Sequence, residues 1–460
     1  MMVFLGVFVV NFQTRSQGGP VLTRIEPERI HPLNTRPFGP GRYVLYWMQA
    51  SQRAFWNPAL EFAVDLADER GLPLLVAFGL TPNYPEANLR HYAWMLEGLR
   101  ETAQALQDRG VGFLLRLGHP PDVALELAAE AAAVVTDRGY LRHQRAWRRY
   151  LAEQAPCPVI EVETDAVVPV ETAYSRQAVR AADLRRRISP LLPPYLRPLQ
   201  EQAPRVRASF SEFSLDPTQP ERILSLLEID RTVGPVDLPA GTGAAQERLR
   251  QFLEEGLADY ADFRSDPRRD VTSRLSSYLH FGQISPVEIA WNVSRLDGPG
   301  VRAFLEELIV RRELALNFVW YNPNYDRWEG LPRWARETLQ AHAADPRPVL
   351  YSPEDLEAAR TDDPIWNAAQ SALVRTGWMH NYLRMYWGKR LLVWTARPED
   401  ALRIGLYLNN KYALDGRDPS SYAGVGWCLG LHDRPFPGRP IFGRVRSMTP
   451  GGMRRKFSWL

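Results

Sequence analysis

Apolar runs and helical patterns alternate between residues 43 and 162. Five short apolar runs have the length and composition of buried strands, namely YVLYWM, PLLVAFG, VGFLLRL, AVVTD and PVIEV. Between them lie stretches such as NLRHYAWMLEGLRETAQALQDRG, in which apolar residues recur at helical spacing. Strands that alternate with helices predict an α/β domain with a parallel, doubly wound, Rossmann-like sheet. We assign residues 41–165 to this domain and treat residues 1–40 as an N-terminal extension.

The pattern changes twice beyond that domain. Residues 166–240 are punctuated by proline and glycine at intervals too short for long helices, which indicates a long interdomain linker. From residue 241 the pattern is almost wholly helical to about residue 408, and the segment after it is rich in glycine and proline. We therefore predict a second, all-helical domain over residues 241–460.

Composition and charge narrow the class of protein only slightly. A formal net charge of +3 and a pI near 8.8 allow a polyanionic partner without requiring one. The two cysteines are far apart in the chain and the eight histidines show no ligand spacing, so we predict neither a disulfide nor a metal site. No apolar segment of the sequence is long enough to span a membrane, and we expect a cytoplasmic protein.

Two stretches combine residues that are typical of binding sites. VTSRLSSYLHFGQIS, residues 271–285, clusters hydroxyl side chains that could cap a helix and leave N–H groups facing a diphosphate. A plain helix cap is the alternative. In FLEELIVRRELALNFVWYN, residues 304–321, Glu307 and Arg311 stand four residues apart, which predicts a surface ion pair. A carboxyl turned into a cavity would instead have a raised pKa and could donate a hydrogen bond, and the spacing favours neither.

The stretch GWMHNYLRMYWGKRLLVW, residues 377–394, is unusually rich in tryptophan. Trp387 and Trp394 are seven residues apart and share one helical face, while Trp366 belongs to a preceding helix that could pack beside it. Large aromatics at helical spacing are more often core than cofactor site, and we assign Trp378 to the core. Arg384 would need an acid if it is buried, and Asp415 and Asp418 are the nearest candidates in the sequence.

The C-terminal stretch RPFPGRPIFGRVRSMTPGGMRRKF is basic and contains no acid. Phenylalanines such as Phe436, Phe442 and Phe457 lie between its arginines. Basic charge mixed with aromatic rings is typical of a nucleic-acid surface, because the charges bind phosphates and the rings stack on bases. A solvated tail is the alternative.

Motifs at these positions occur in a fixed order along the chain. They are YWMQASQRAFWNPAL, TSRLSSYLHFGQIS, EELIVRREL, WNAAQ, HNYLRMYWGK, LNNKYALDGRDP, RPIFGRVRSM and RRKF. Together they resemble the class II cyclobutane pyrimidine dimer photolyases of the photolyase/cryptochrome family. The resemblance covers about residues 43–457 and rests on the order of the motifs, since no single motif is decisive.

The resemblance implies a light-dependent carbon–carbon lyase that repairs DNA. In this family the α/β domain can hold an antenna chromophore, whose identity we leave open, and the helical domain buries FAD. Excited, fully reduced FAD passes an electron to a cyclobutane pyrimidine dimer flipped out of the duplex, the ring splits and the electron returns. A monomer that acts on DNA, nucleoid-associated if the source is bacterial, is implied as well.

The resemblance also implies roles for individual residues. The FAD-binding residues would be Tyr260, Thr272, Ser273, Leu275, Ser276, Arg384, Asn409 and Asp415. The residues of the chemistry would be Glu307 at the dimer, Asn409 at flavin N5, Arg384 and Asp415 beside the flavin ring, and the electron-transferring Trp387, Trp366 and Trp394. The residues at the lesion and the DNA would be Met385, Trp427, Arg311, Arg446, Arg454, Arg455 and Lys456.

Some positions depart from the family pattern, and two other functions are open. Arg311 stands where some relatives have a tryptophan near the dimer, and ETDAVVPV and YWMQASQR lack polar residues that relatives have near the antenna. A cryptochrome-like blue-light photoreceptor without repair activity is the first alternative. A non-photochemical nucleotide-binding protein is the second, although the usual phosphate-binding turns GxGxxG and GxxxxGK[ST] do not occur in the first domain.

Overall fold

Eight strands occur in the part of the chain that the computed structural model describes, residues 8–10, 21–208 and 214–457. They are β1 (Phe8–Val10), β2 (Val21–Thr23), β3 (Ile30–Pro32), β4 (Tyr43–Trp47), β5 (Leu74–Leu80), β6 (Gly112–Leu117), β7 (Ala131–Asp137) and β8 (Val159–Val162). Six of them form one sheet in the order β3-β8-β7-β4-β5-β6. All neighbours in this sheet are parallel except β3, which pairs antiparallel with β8 at one edge.

The parallel strands form the core of the first domain. Every residue of β4, β5, β7 and β8 is buried, because helices cover both faces of the sheet. These four strands and β6 coincide with the five apolar runs, so the predicted Rossmann-like sheet is confirmed. Strand β3 lies in the N-terminal extension, where its short length and Pro32 give no strand pattern. Residues 1–7 and 11–20 of that extension lie outside the described residues.

Helices connect the parallel strands. They are α1 (Pro58–Arg70), α2 (Leu89–Asp108), α3 (Pro120–Ala128) and α4 (Arg142–Gln154). Local chemistry fixes the ends of α1: the Asn57 side chain accepts hydrogen bonds from the first free N–H groups, and Gly71 closes the helix with a left-handed φ of 64°. Short helices follow in the linker, in agreement with its proline spacing: α5 (Val170–Ala173), α6 (Ala181–Ile188), α7 (Leu192–Tyr195) and α8 (Pro220–Ser225).

The C-terminal part of the chain is helical, as predicted. Its helices are α9 (Thr242–Gln251), α10 (Tyr260–Phe263), α11 (Ser276–His280), α12 (Pro286–Ser294), α13 (Pro299–Leu305), α14 (Arg312–Tyr321), α15 (Arg333–Ala341), α16 (Pro353–Glu357), α17 (Pro364–Thr376), α18 (Asn381–Trp394), α19 (Pro398–Tyr412), α20 (Pro419–Cys428) and α21 (Pro450–Lys456). Two π-helical turns interrupt this pattern, at Phe252–Gly256 and Glu306–Arg311. None of the helices within the described residues is long and apolar enough to cross a membrane.

Buried polar groups join the two domains. Arg90 on α2 reaches the helical domain and donates hydrogen bonds to the backbone carbonyls of Val374 and Tyr412, at 2.5 and 2.6 Å. Glu313 on α14 accepts a hydrogen bond of 2.6 Å from the Val167 backbone in the linker. Burial raises the pKa of the Glu313 carboxyl to about 8, so this acid is largely protonated at neutral pH.

Candidate functional site

Three tryptophans stack in the core of the helical domain. The rings of Trp366 on α17 and Trp387 on α18 are parallel to within 5°, with centroids 6.2 Å apart. Trp394, two turns after Trp387, meets the edge of Trp366 at 5.3 Å. All three are at most 1% exposed. The predicted packing of Trp366 beside the shared face of α18 is therefore confirmed, and the three indoles form a continuous aromatic path.

Polar groups hold this stack in register. The indole N–H of Trp387 donates to the Gln370 side chain at 2.9 Å, and that of Trp366 donates to the Trp387 carbonyl at 3.0 Å. The fourth tryptophan, Trp378, was wrongly assigned to the core. It follows the left-handed Gly377 between α17 and α18, so it is only half-buried, and the Arg274 guanidinium covers it at 4.5 Å.

The ends of α18 and α19 bring three of the proposed flavin residues together. Arg384 on α18 donates to the side-chain oxygens of Asn409 at 3.3 Å and Asp415 at 3.4 Å. Its acid is therefore Asp415, whereas Asp418 caps α20 and pairs with His280 at 3.3 Å. These long hydrogen bonds leave the guanidinium and the buried Asn409 amide able to bind a further polar group.

The hydroxyl-rich run before α11 forms a separate polar surface. Arg248 fixes this loop by donating to the carbonyls of Thr272 and Ser273, at 2.8 and 2.9 Å. The expectation that its hydroxyls cap the helix is wrong, because Leu275 occupies the cap position and the Ser273 hydroxyl accepts only from the Leu275 N–H, at 3.4 Å. The Thr272 hydroxyl is buried without a partner among the described residues. A buried hydroxyl without a protein partner fits a diphosphate oxygen, so this run fits the FAD that the resemblance implies.

The other residues predicted to bind this part of FAD lie around the loop. Leu275 is buried and Ser276, the first residue of α11, is half-buried. Tyr260 is buried and packs edge-on against Phe252 and Phe304. Burial and the nearby Glu307 carboxyl raise the pKa of Tyr260, which places this phenol within electrostatic range of that acid.

The π-helical turn Glu306–Arg311 carries the proposed active-site acid. Burial raises the pKa of Glu307, and Arg311 opposes that rise. The predicted ion pair between Glu307 and Arg311 is wrong: the extra residue in a π turn brings Arg311 opposite Glu306 instead, with Nε 3.3 Å from Oε1. The Glu307 carboxyl has no ion pair in the described part of the chain, which agrees with the cavity alternative.

Trp427 on α20 lies next to that turn. The Arg311 guanidinium carbon is 5.1 Å from the centre of the half-buried Trp427 ring, and His432 meets the ring edge at 6.3 Å. Met385 on α18 is partly buried, and its carbonyl is 3.8 Å from the Cys428 sulfur. The helices α18 and α20 thus bring Met385 close to the residue that follows Trp427.

The C-terminal segment ends in the short basic helix α21. The exposed cations on this surface include Arg446, Arg454, Arg455 and Lys456, the four predicted to bind DNA. Phe442 and Phe457 are at most 6% exposed, so they anchor the segment to the core and cannot stack on bases as predicted. Phe436 is half-buried, with the guanidinium of Arg446 5.7 Å from its ring.

A cavity of about 120 Å³ lies between the two domains, and Gln49 and Asp165, from the two stretches expected near the antenna, line it. It is bounded by the carboxyl end of β5, by α2 and α4, and by α11, α14 and the loop before α20. Its apolar side is formed by Phe78, Leu80, Trp147, Phe281 and Leu316, and its polar side by Asp165, His280, Arg312, Arg417 and Asp418. The carboxyl ends of parallel strands are the usual place for a ligand in such folds, which is the signal that could have found it.

Buried arginine gives this cavity a positive side. Arg417 is 3% exposed and has no ion pair within the described ranges; it contacts the His91 ring at 2.8 Å and donates to the Asn410 carbonyl at 3.0 Å. Burial lowers the pKa of Arg417. Burial also lowers the pKa of His91, so this imidazole adds no second positive charge beside Arg417. Across the described part of the chain, no cluster of three His, Cys, Asp or Glu side chains could hold a metal ion.

The comparison with known proteins gives the family. Residues 44–187 match the model of the DNA photolyase family. A deoxyribodipyrimidine photo-lyase of Methanothermobacter thermautotrophicus is 44% identical over 94% of this chain and 96% of its own length. The chain belongs to the DNA photolyase family. A relative of the same name from Potorous tridactylus is 39% identical over 90% of this chain and 79% of that protein.

Solved structures of the family share this fold. A class III photolyase from Agrobacterium tumefaciens superposes with a TM-score of 0.67 and 20% identity, over 91% of this chain and 84% of that one. A Synechocystis cryptochrome superposes with a TM-score of 0.68 and 16% identity, over 90% and 86%. Because photolyase and cryptochrome structures match equally well, the fold by itself does not separate repair from signalling.

Proposed function

We propose that this family member repairs cyclobutane pyrimidine dimers in DNA by light-driven electron transfer. The observation that carries the proposal is a half-buried Glu307 carboxyl that makes no ion pair in the described part of the chain. The neighbouring Arg311 contacts the Trp427 ring. A pure light sensor has no need for such a polar and aromatic pocket. The relatives named deoxyribodipyrimidine photo-lyase, which match over most of the chain, support the same conclusion. The sequence motifs favour class II.

Two groups of residues would hold FAD. The Thr272 hydroxyl and its neighbours Ser273, Leu275 and Ser276 would bind the diphosphate, with Tyr260 behind them. Arg384, Asn409 and Asp415 would flank the flavin ring, because their mutual hydrogen bonds are long and leave donors free. Reduced FAD would supply the excited electron that splits the dimer.

Glu307 and Met385 would act on the dimer. Since burial raises the pKa of Glu307, its carboxyl can be protonated and donate a hydrogen bond to a pyrimidine carbonyl, where negative charge develops. Met385 would pack against the flipped bases beside Trp427. An apolar and aromatic pocket suits a dimer that has left the base stack. Extruding a damaged base also costs less free energy than extruding an intact one.

The tryptophan stack would supply electrons to the cofactor from the protein. Trp387, Trp366 and Trp394 have centroids no more than 6.2 Å apart at each step, and all are buried. Electrons can pass along such a series only if each ring is close to the next. The stack would thereby restore the reduced state that repair requires.

The exposed cations of the C-terminal segment would bind the DNA backbone. Arg446, Arg454, Arg455 and Lys456 would neutralise phosphates around the flipped dimer, which makes binding depend on salt. These contacts carry no sequence information. The preference for damaged DNA must therefore come from the pocket of Glu307 and Trp427.

The interdomain cavity would hold an antenna chromophore. Its apolar side suits a planar ring system, and the buried, unpaired Arg417 suits an anionic group on that ring. Arg312, whose guanidinium donates to the Asp165 carbonyl, adds a second positive charge. We therefore assign this site to a planar, anionic chromophore.

One experiment tests the proposal against the cryptochrome alternative. The purified protein should show a flavin absorption spectrum, and the reduced form should remove dimers from DNA only when illuminated. Bound flavin without light-dependent loss of dimers would favour a photoreceptor. A colourless protein that cannot be loaded with FAD would refute both photochemical functions.

A further inference from the structure

Arg311 occupies an unusual electrostatic position at the edge of the proposed lesion pocket. Its guanidinium lies over Trp427, and it belongs to the same π-helical turn as Glu307. The side chain is 32% exposed, so its charged end is accessible to a molecule in the pocket. Arg311 therefore contacts Trp427 and lies in the same helical turn as Glu307, the two other residues of the proposed pocket.

The ion pair of Arg311 is weak because its acid is shared. Arg185 makes two hydrogen bonds to Glu306, at 2.8 and 2.5 Å, and so already neutralises that carboxylate. Arg311 reaches Glu306 only through Nε, at 3.3 Å, and the geometry of that contact does not make a hydrogen bond. In the described part of the chain its guanidinium makes no hydrogen bond, which leaves its N–H groups available.

We propose that Arg311 is a substrate-binding residue that determines the preference for dimers over intact DNA. The inference rests on the proposed function. The guanidinium donates hydrogen bonds to a carbonyl oxygen of the flipped dimer, in addition to any hydrogen bond from the Glu307 carboxyl. The contact between Arg311 and the Trp427 ring fixes the guanidinium in place, because a cation is attracted to the face of an indole.

The same contact acts during the reaction. The dimer takes up one electron, its two cyclobutane carbon–carbon bonds break, and the electron leaves again, so no electron is consumed. While the extra electron is present, the pyrimidine carbonyls carry negative charge. Arg311 stabilises that charge with its positive charge and its planar hydrogen-bond donors. Its charge therefore favours ring opening over return of the electron before the bonds break.

Three variants test this role. Arg311→Gln removes the charge, and Arg311→Lys keeps the charge but not the planar donors. Arg186→Gln is the matched control, because it removes an exposed arginine of α6 that pairs with Asp183 and leaves Glu306 untouched. The dissociation constant is measured in the dark for one duplex with a dimer and the same duplex without it. The repair yield per absorbed photon is then measured on the reduced protein at saturating dimer DNA.

We expect Arg311→Gln to weaken binding of the dimer duplex about tenfold, with little change for the intact duplex, and to lower the repair yield severalfold. Arg311→Lys should lose affinity but keep more of the repair yield than Arg311→Gln. Arg186→Gln should match the wild type in both measurements. All variants should retain flavin, which shows that they fold.

Two outcomes would overturn the inference. An equal loss of affinity for both duplexes would make Arg311 a phosphate contact, and unchanged affinity and yield would make it a packing partner of Trp427. A wild-type protein that binds flavin but does not repair or discriminate would instead refute the proposed function itself. The behaviour of the wild type therefore separates the two failures.

Discussion

The tryptophan and flavin region and the interdomain cavity are built in different ways. The first lies within the helical domain, and Trp366, Trp387, Arg384 and Asn409 come from three consecutive helices, α17 to α19. The second is bounded by both domains, and its lining residues extend from Gln49 to Pro419, more than 300 residues apart in the chain. The residues of the first region are therefore close together in the sequence. The cavity, in contrast, forms only when the two domains pack against each other.

The difference has a consequence for mutation. A residue of the helical site is supported by its own helix and its immediate neighbours, so a substitution should act on chemistry with little effect on the other site. A residue of the cavity, such as Arg417, is supported by contacts from both domains, including His91 on α2. The two sites should therefore respond separately, and the following experiments test that separation.

The largest effect is expected for Trp387→Phe. Phenylalanine is much harder to oxidise than tryptophan, so the variant should lose most of the light-driven reduction of bound oxidised flavin. The rate is measured from the flavin absorbance during blue illumination with an external reductant. Trp378→Phe is the matched control, since Trp378 lies outside the stack, and it should keep the wild-type rate. A wild-type rate in Trp387→Phe would show that Trp387 only fills the core.

Arg417→Met should remove the antenna chromophore and leave flavin bound. The substitution deletes the buried positive charge that faces the cavity, and we expect about tenfold weaker chromophore binding. Absorption spectra of the protein as isolated and after reconstitution measure both cofactors. Arg149→Met, on the exposed face of α4, is the control. Loss of both cofactors from Arg417→Met would mean that the two sites depend on each other.

The double variant Arg454→Gln and Arg455→Gln should change DNA binding but neither cofactor. If both arginines contact phosphates, the slope of log affinity against log salt should fall by about 1.8. Binding of a dimer duplex is measured over a series of salt concentrations. Arg36→Gln, which changes an exposed arginine of the N-terminal extension, should leave the slope unchanged. An unaltered slope in the double variant would remove α21 from the DNA surface.

The last prediction concerns the contact between α14 and the linker, and its effect is on stability rather than on either site. The pKa of Glu313 is raised to about 8, so the native protein keeps a proton that the unfolded chain loses near its ordinary pKa of 4.5. Stability must then fall as the pH rises from about 4.5 to 8, by at most about 1.4 kcal/mol per pH unit. Glu313→Gln cannot ionise and should lack this decline. Denaturant unfolding of both proteins at several pH values measures it, and parallel curves would contradict the shifted pKa.

The sequence patterns correctly predicted structural features that depend on residues close together in the chain. The alternation of apolar runs gave the parallel strands, and the seven-residue spacing of Trp387 and Trp394 gave their shared face. The patterns failed where geometry departs from the regular period. Arg311 pairs with Glu306 because of a π turn, which no residue spacing signals. The sequence could indicate the place of the cavity, at the carboxyl ends of the strands, but not its full lining, which depends on how the two domains dock.

Arg90 spans the boundary between the two domains. This contact bears on whether the helical domain can be expressed without the first domain. This arginine, on α2 of the first domain, satisfies carbonyls at the ends of α17 and α19. A helical fragment expressed without α2 would expose those carbonyls, and the surface that α2 covers, to solvent. Chimaeras that exchange the first domain between relatives should therefore succeed only when an arginine is kept at this position of the second crossover helix.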